Sequence, residues 1–215
     1  MHLMFIGAPG AGKGTQAKIL EKKFGAVQIS TGDILRKSIE AGTELGLKAK
    51  EFMDQGKLVT DDLMISLIKE KFIDPSFPKN WIMDGFPRTV AQAEAFDLLL
   101  VELEMKLDSV IEVDVDRNLL VKRLTGRRVC KDCQAPYHVD FNPPKVDGVC
   151  DYCGSNDIYQ RSDDKEDVVV NRLSIYDQQT APLIQHYTSK GLLHQMDGAA
   201  PVEEVTEQIL KLVKP

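Results

Sequence analysis

Nine residues near the N-terminus, Gly7-Ala8-Pro9-Gly10-Ala11-Gly12-Lys13-Gly14-Thr15, combine the residue types needed to hold a polyphosphate. They follow an apolar run at residues 3–6 and open a helical pattern carried by Gln16, Ala17, Leu20 and Phe24. A Gly-rich turn between a strand and a helix leaves several backbone N–H groups unpaired and pointing outward. The helix N-terminus adds a partial positive charge, and Lys13 adds a whole one. Backbone concavities of this kind bind phosphate groups. The common spacing is G-x-x-x-x-G-K-[ST]; here Gly14 stands between Lys13 and Thr15. That departure points away from GTPases and towards small nucleotide kinases. A Gly-rich turn with no ligand is the bland alternative, which the flanking strand and helix disfavour.

The four cysteines carry a second chemistry. Cys130, Cys133, Cys150 and Cys153 make two C-x₂-C pairs sixteen residues apart. Two such knuckles supply four thiolates to one tetrahedral Zn²⁺, with Gly148 and Gly154 easing the turns. A closed Cys₄ set leaves no open coordination position, so the metal is expected to be structural. It would stiffen a segment that lacks its own core. The same ligands accept iron. Two disulfides, or cysteines with no joint role, are the competing readings; the N-terminus shows no secretory pattern, which favours the metal. His2 and His138 are expected to be hydrogen-bonded or exposed, not ligands.

The arginines are the third signal. The chain holds eight Arg against nineteen Lys, so Lys is its surface default. Arg forks grip phosphate bidentately, where Lys acts as a point charge. Arg88 follows a strand-like run in Asp84-Gly85-Phe86-Pro87-Arg88. Arg123, Arg127 and Arg128 flank the start of the cysteine segment, Arg161 stands near its end, and Arg172 and Arg36 lie beyond and before it. Scattered surface charge is the alternative for any one of them; their clustering at segment boundaries favours phosphate binding. Asp84 ends the run Trp81-Ile82-Met83, where a carboxylate can face phosphates and hold Mg²⁺ through its water shell. Capping the following turn is the alternative role.

These residues need a scaffold. The chain has 215 residues, 43% hydrophobic and 28% charged, enough to bury a sizeable core. Apolar strand candidates lie at 3–6, 26–29, 81–83 and 110–115, with a weaker one at 192–196, and helical patterns fall between and after them. Such alternation reads as an α/β fold with a parallel sheet covered by helices on both faces. Ligands then sit at the carboxyl ends of the strands, where the Gly-rich loop falls. Two segments break the pattern: 30–59, two short helical patterns separated by Gly42, and 126–164, which holds all four cysteines. Both are expected to be insertions on the ligand side. The net charge of −6 argues against a nucleic-acid partner. No apolar run has the roughly 18–20 residues of a membrane span, and cytoplasm is the default expectation.

Taken together the motifs resemble an adenylate kinase of the long-lid, zinc-bearing bacterial type. They are Gly7 to Thr15, Ser30-Thr31-Gly32-Asp33, Gly56-Lys57-Leu58-Val59, Asp84 to Arg88, Gln92, Leu124-Thr125-Gly126-Arg127-Arg128, Tyr137-His138, Phe141-Asn142-Pro143-Pro144 and Arg161-Ser162-Asp163-Asp164. Their order matches the family's from end to end. The resemblance implies a P-loop nucleoside monophosphate kinase core at 1–29, 60–125 and 165–215, a helical AMP-binding insertion at 30–59 and a zinc-bearing lid at 126–164. It implies the reversible conversion of ATP and AMP into two ADP. Gly10, Ala11, Gly12, Lys13, Gly14 and Thr15 would hold the ATP phosphates, and Arg127, Pro136, Tyr137 and Ala200 its adenosine part. Thr31, Arg36, Lys57, Leu58, Val59, Gly85, Phe86, Pro87, Arg88 and Gln92 would hold AMP, joined by Arg161 and Arg172. Lys13, Asp84, Arg88, Arg123, Arg127, Arg161 and Arg172 would form the catalytic charge with Mg²⁺, while Cys130, Cys133, Cys150 and Cys153 hold the lid zinc. A monomer is the family expectation.

The residues are consistent with that chemistry. An AMP phosphate is already ionised at neutral pH, so no general base is required and none is found. Catalysis is then alignment and charge stabilisation in a site that excludes water. Gly126, and Asp163-Asp164 capping the next helix, are expected hinge elements of a lid whose opening limits turnover. Three alternatives stay open. One is a kinase for CMP, UMP or GMP, since Gln92 alone is weak testimony about a base. Another is a GTPase-type switch, although an N-K-x-D motif is absent. The third is a zinc-ribbon module that grips nucleic acid.

Overall fold

The computed structural model describes residues 1–213. Five parallel strands form the central sheet: β1 (His2–Ile6), β2 (Val27–Ser30), β3 (Trp81–Asp84), β4 (Ser109–Asp114) and, at one edge, Leu193–Asp197, in the order β2-β3-β1-β4 followed by that edge strand. Side chains alternate across the pleat. Met4, Ile6, Ile29, Trp81, Met83 and Val110 enter one buried cluster, whereas Leu3, Phe5, Ile82, Ile111 and Val113 enter the other. Both faces are therefore apolar, as a parallel sheet with helices on both sides requires.

The helices complete each side by presenting apolar stripes at helical spacing. They are α1 (Lys13–Phe24), α2 (Thr31–Glu40), α3 (Glu44–Asp54), α4 (Asp61–Phe72), α5 (Val90–Glu102), α6 (Arg117–Thr125), α7 (Glu166–Ile175), α8 (Pro182–Ser189) and α9 (Val202–Leu212). Met64, Ile68 and Phe72 of α4, Phe96 and Leu99 of α5, and Leu183 and Tyr187 of α8 cover the first face. Ala17 and Leu20 of α1, Leu120 and Leu124 of α6, Val169 and Leu173 of α7, and Val205 and Ile209 of α9 cover the second. Trp81 lies at the centre of the first side, with its ring set edge-on to Phe72 and Phe96.

Within 30–59 and 126–164 lie two groups of elements outside the central sheet. The first is the pair α2 and α3. Its helices start on Ser30 and Thr43, whose hydroxyls accept the Asp33 and Gly46 N–H groups. The second is a small antiparallel sheet, β5 (Arg127–Cys130), β6 (Pro136–His138) and β7 (Ile158–Tyr159), ordered β6-β5-β7. The central edge strand Leu193–Asp197 is then β8. Each of the five strands expected from the sequence is present but off by one residue at one or both ends; at β3 the register pairs both Ser30 and Phe5 with Asp84 and so extends the strand to that carboxylate.

One hinge expectation is corrected. Asp163 and Asp164 do not cap α7; its cap position is Lys165, without a side-chain hydrogen bond. The two acids form a short 3₁₀ turn, Ser162–Asp164, and are buried against arginines instead. At Gly126 the backbone is ordinary right-handed helix, with φ −83. Space makes glycine necessary there, because a Cβ would lie 2.3 Å from the His138 imidazole.

Candidate active site

The carboxyl ends of β1, β2 and β3 open into a cleft of about 330 Å³ that residues of segments 30–59 and 126–164 also line. The phosphate loop forms its floor. Gly10 and Gly12 take left-handed φ of 84 and 104, conformations that glycine adopts without penalty. Gly12 is the N-cap of α1 and makes no side-chain cap, so the first N–H groups of the helix remain available to an anion. Gly14 has a spatial reason: a Cβ there would meet the Asp84 carboxylate at 3.3 Å. The extra glycine thus lets the phosphate loop and the end of β3 approach closely.

Lys13 folds back over the loop and donates to the Gly7 and Ala8 carbonyls, at 2.7 and 2.8 Å. Burial pushes its pKa down to about 8, with neighbouring Arg88 and Arg172 adding repulsion against the pull of Asp84. Arg88 and Arg161 are likewise driven down to about 10, burial first and then the charges of Arg172 and Arg36 respectively. The Nε atoms of Arg36 and Arg161 are buried without a partner. Nine cationic side chains line the cleft against three carboxylates, a surplus of six in a chain whose net charge is −6. That is a site suited to polyanions, since cations crowded into a cleft, most of them half-buried, are stabilised when negative charge arrives.

The carboxylates present hold the arginines in place. Asp164 is fully buried; its Oδ2 accepts from Arg127 Nε at 2.7 Å and its Oδ1 from Arg127 Nη2 at 2.5 Å and Arg172 Nη1 at 3.0 Å. Asp33 accepts from Arg36 Nη2 at 2.5 Å, with Arg161 3.9 Å away. Arg123 donates to the Gly198 carbonyl at 2.9 Å, and Arg88 Nε to that of Gly85 at 2.8 Å. Asp84 accepts from Gln28 Nε2 at 2.9 Å. Lys18 donates to the Gln134 carbonyl across the gap between α1 and the cysteine segment, at 2.9 Å. Sequence reasoning missed Lys18, Gln28 and the counter-ion roles of Asp33 and Asp164; only the adjacent acids at 163–164 gave a signal, and it was read as a helix cap.

Most residues expected at the site do line the cleft: Gly10, Gly12, Lys13, Gly14 and Thr15; Thr31, Arg36, Lys57, Leu58 and Val59; Asp84, Gly85, Pro87, Arg88 and Gln92; and Arg123, Arg127, Pro136, Arg161 and Arg172. Four do not. Ala11 is 1% exposed and its N–H is spent on the Ala8 carbonyl. The Phe86 ring turns into the core, edge-on to Phe96 with centroids 5.6 Å apart. Tyr137 is buried within the cysteine segment, where its hydroxyl contacts Cys150 Sγ at 3.3 Å and accepts the Asp151 N–H at 2.7 Å. Ala200 packs beside the second core cluster and donates its N–H to Asp197. Arg128 also turns away, donating to the Thr125 and Arg127 carbonyls.

The four Sγ atoms lie within 4.8 Å of one another. Cys130 and Cys153 are 3.6 Å apart and Cys133 and Cys150 3.5 Å, far beyond the ~2.05 Å of a disulfide. Four thiolates at Zn–S distances of about 2.3 Å in a tetrahedron sit roughly 3.8 Å apart, so this cluster fits a metal with little adjustment. His2 and His138 are hydrogen-bonded and stand apart from it: His2 contacts the Lys106 and Lys79 carbonyls, and His138 that of Lys122.

Comparison with known proteins agrees with this geometry. The adenylate kinase family model matches residues 5–192. A curated adenylate kinase of Carboxydothermus hydrogenoformans is 53% identical over 209 residues, covering 97% of each chain. Those of Archaeoglobus fulgidus and Geobacter sulfurreducens are 52% and 48% identical, covering 97% and 100% of this chain and 96% and 98% of their own.

Proposed function

Because the chain belongs to the adenylate kinase family, and with it catalyses reversible phosphoryl transfer between ATP and AMP, we propose that its cleft performs the transfer by alignment and charge alone. The surplus of cations lining the cleft around the phosphate loop is the observation that carries this reading. The reacting groups are both anions, so the protein must offset their repulsion and hold them in line. Gly10, Gly12 and Thr15 with Lys13 hold the ATP phosphates on the N-terminus of α1. Arg36 and Arg88 hold the AMP phosphate, and Arg123, Arg127, Arg161 and Arg172 span the transferred group. The AMP oxygen attacks the γ-phosphorus as the bond to the β-phosphate oxygen breaks, and ADP leaves from each side. The acceptor is already ionised, so no side chain moves a proton.

Mg²⁺ accompanies ATP and neutralises phosphate charge; Asp84, beside Lys13 at the end of β3, is the residue suited to hold its water shell. Residues 30–59 serve as the AMP insertion and 126–164 as the lid. A structural Zn²⁺ on Cys130, Cys133, Cys150 and Cys153 supports the lid, which excludes water from the transfer. By the family reading the enzyme acts as a monomer in the cytoplasm, and no described helix is long and apolar enough to cross a membrane.

The test is Arg161→Lys, which keeps the charge and removes the fork. Loss of a preorganised donor to the transition state costs roughly 10²–10³ in kcat, so kcat should fall by that order while the KM values for both nucleotides change little. An unchanged kcat would remove Arg161 from the transferring set.

A further inference from the structure

Gln92 lines the cleft, yet it is only 1% exposed and both ends of its amide are already engaged. Its Oε1 accepts the Arg88 backbone N–H at 2.8 Å, and its Nε2 donates to Asp61 Oδ1 at 2.7 Å. Asp61, at the start of α4, does not line the cleft. Its second oxygen accepts from the Thr89 hydroxyl at 3.1 Å, while that hydroxyl in turn accepts the Gln92 backbone N–H at 3.1 Å. Every bond in this ring has a fixed direction. The Arg88 N–H can only donate, and an Asp61 carboxylate that receives two donors can only accept. Rotating the Gln92 amide by 180° would set its NH₂ against the Arg88 N–H and its oxygen against the Asp61 carboxylate. Both contacts would be repulsive, with buried groups left unpaired.

The amide therefore has one orientation, with one N–H and one lone pair left over. Orientation matters for a purine. On the edge formed by position 6 and ring N1, a 6-aminopurine offers a donor and then an acceptor, whereas a 6-oxopurine offers an acceptor and then a donor. An amide free to flip can pair with either edge; a locked amide pairs with one. We propose that Asp61 is a specificity-determining positioning residue: by locking the Gln92 amide it makes the monophosphate site discriminate 6-amino- from 6-oxopurine nucleotides. This inference rests on the reading of Gln92 as a contact to the acceptor base.

The experiment measures kcat/KM for AMP and for inosine monophosphate with the full-length wild-type enzyme, Asp61→Asn and Gln92→Leu, at saturating MgATP. An Asn at position 61 can present either its oxygen or its NH₂ to Gln92, which removes one of the two locks. The ratio of the two acceptors is read on the same protein sample, so a partly unfolded variant cancels out of it. A bidentate amide–base pair is worth about a tenfold or greater discrimination, and removing one lock should raise the inosine-to-adenosine ratio by about tenfold. The KM for ATP should not move. A ratio within about twofold of wild type in Asp61→Asn, with a clear shift in Gln92→Leu, would overturn the role of Asp61 and leave the base contact standing. No shift in Gln92→Leu would overturn the base contact itself.

Discussion

The buried carboxylate at the centre of the arginine cluster gives the most demanding prediction. Asp164→Asn preserves the shape of the side chain but removes its charge and replaces one acceptor oxygen with a donor. Two guanidinium groups, Arg127 and Arg172, then lose their shared counter-ion. Removing one partner of a buried ion pair costs roughly 3–5 kcal/mol. Arg127 and Arg172 retain 23% and 15% side-chain exposure, so water softens the loss slightly, and about 3 kcal/mol is the appropriate figure. In a chain of this size 1 kcal/mol corresponds to ~2–4 °C, which gives a Tm lowered by ~6–12 °C. Nucleotide phosphates bring negative charge to the same arginines. Saturating ATP and AMP should therefore raise the Tm of the variant by more than they raise that of the wild type. Scanning calorimetry of both proteins, with and without nucleotides, reads both effects. A fall below ~2 °C, or an equal nucleotide increment in the two proteins, would refute the counter-ion reasoning.

Other outcomes follow from the same geometry. With Lys13 depressed to about 8 by burial in the ligand-free cleft, its charged form is favoured again once phosphates bind, so ATP binding at pH 8 should take up ~0.5 proton and at pH ~6.5 almost none. Calorimetry in two buffers of different ionisation enthalpy measures this, and buffer-independent heats at pH 8 would count against it. The same shift has a sign for stability: the native state disfavours the lysine charge, so this group's contribution improves as pH rises from about 8 towards 10.5 and is least favourable below that window. Stripping metal from the cysteine cluster should release one ion per chain and lower Tm with little loss of central-sheet circular dichroism; chelation without any change in Tm would show the cluster to be dispensable. If lid opening limits turnover, a quenched-flow burst of ADP should precede the steady state, and a linear approach from the first turnover would argue for chemistry as the slow step.

Much of this site is legible in the sequence because its determinants are local. The glycines of the phosphate loop, the C-x₂-C pairs and Asp84 at a strand end each declare a backbone need or a ligand set within a few residues. Strand positions are readable to about one residue because alternate apolar residues must feed two cores. What is hidden is the pairing between distant polar groups. Asp164 and Arg127 are 37 positions apart, and Asp61 and Gln92 31; only the fold brings them together. The acids at 163–164 look like a helix cap because capping is the commonest local use of such residues, and burial beside two arginines overrides it. Tyr137 and Phe86 mislead for a related reason. A motif names a position, while packing decides whether its ring faces the cleft or, as here, the cysteine cluster and the core.

This cleft moves a phosphoryl group between two adenine nucleotides. The most direct measurement is the initial rate of transfer from MgATP to AMP, CMP, UMP and GMP in turn, followed as product nucleotides. Rapid ADP formation is expected with AMP and far slower transfer to the other three. Preference for a different acceptor would keep the phosphate chemistry and overturn the substrate, and transfer to none of them by folded, metal-loaded protein would contradict the account as a whole.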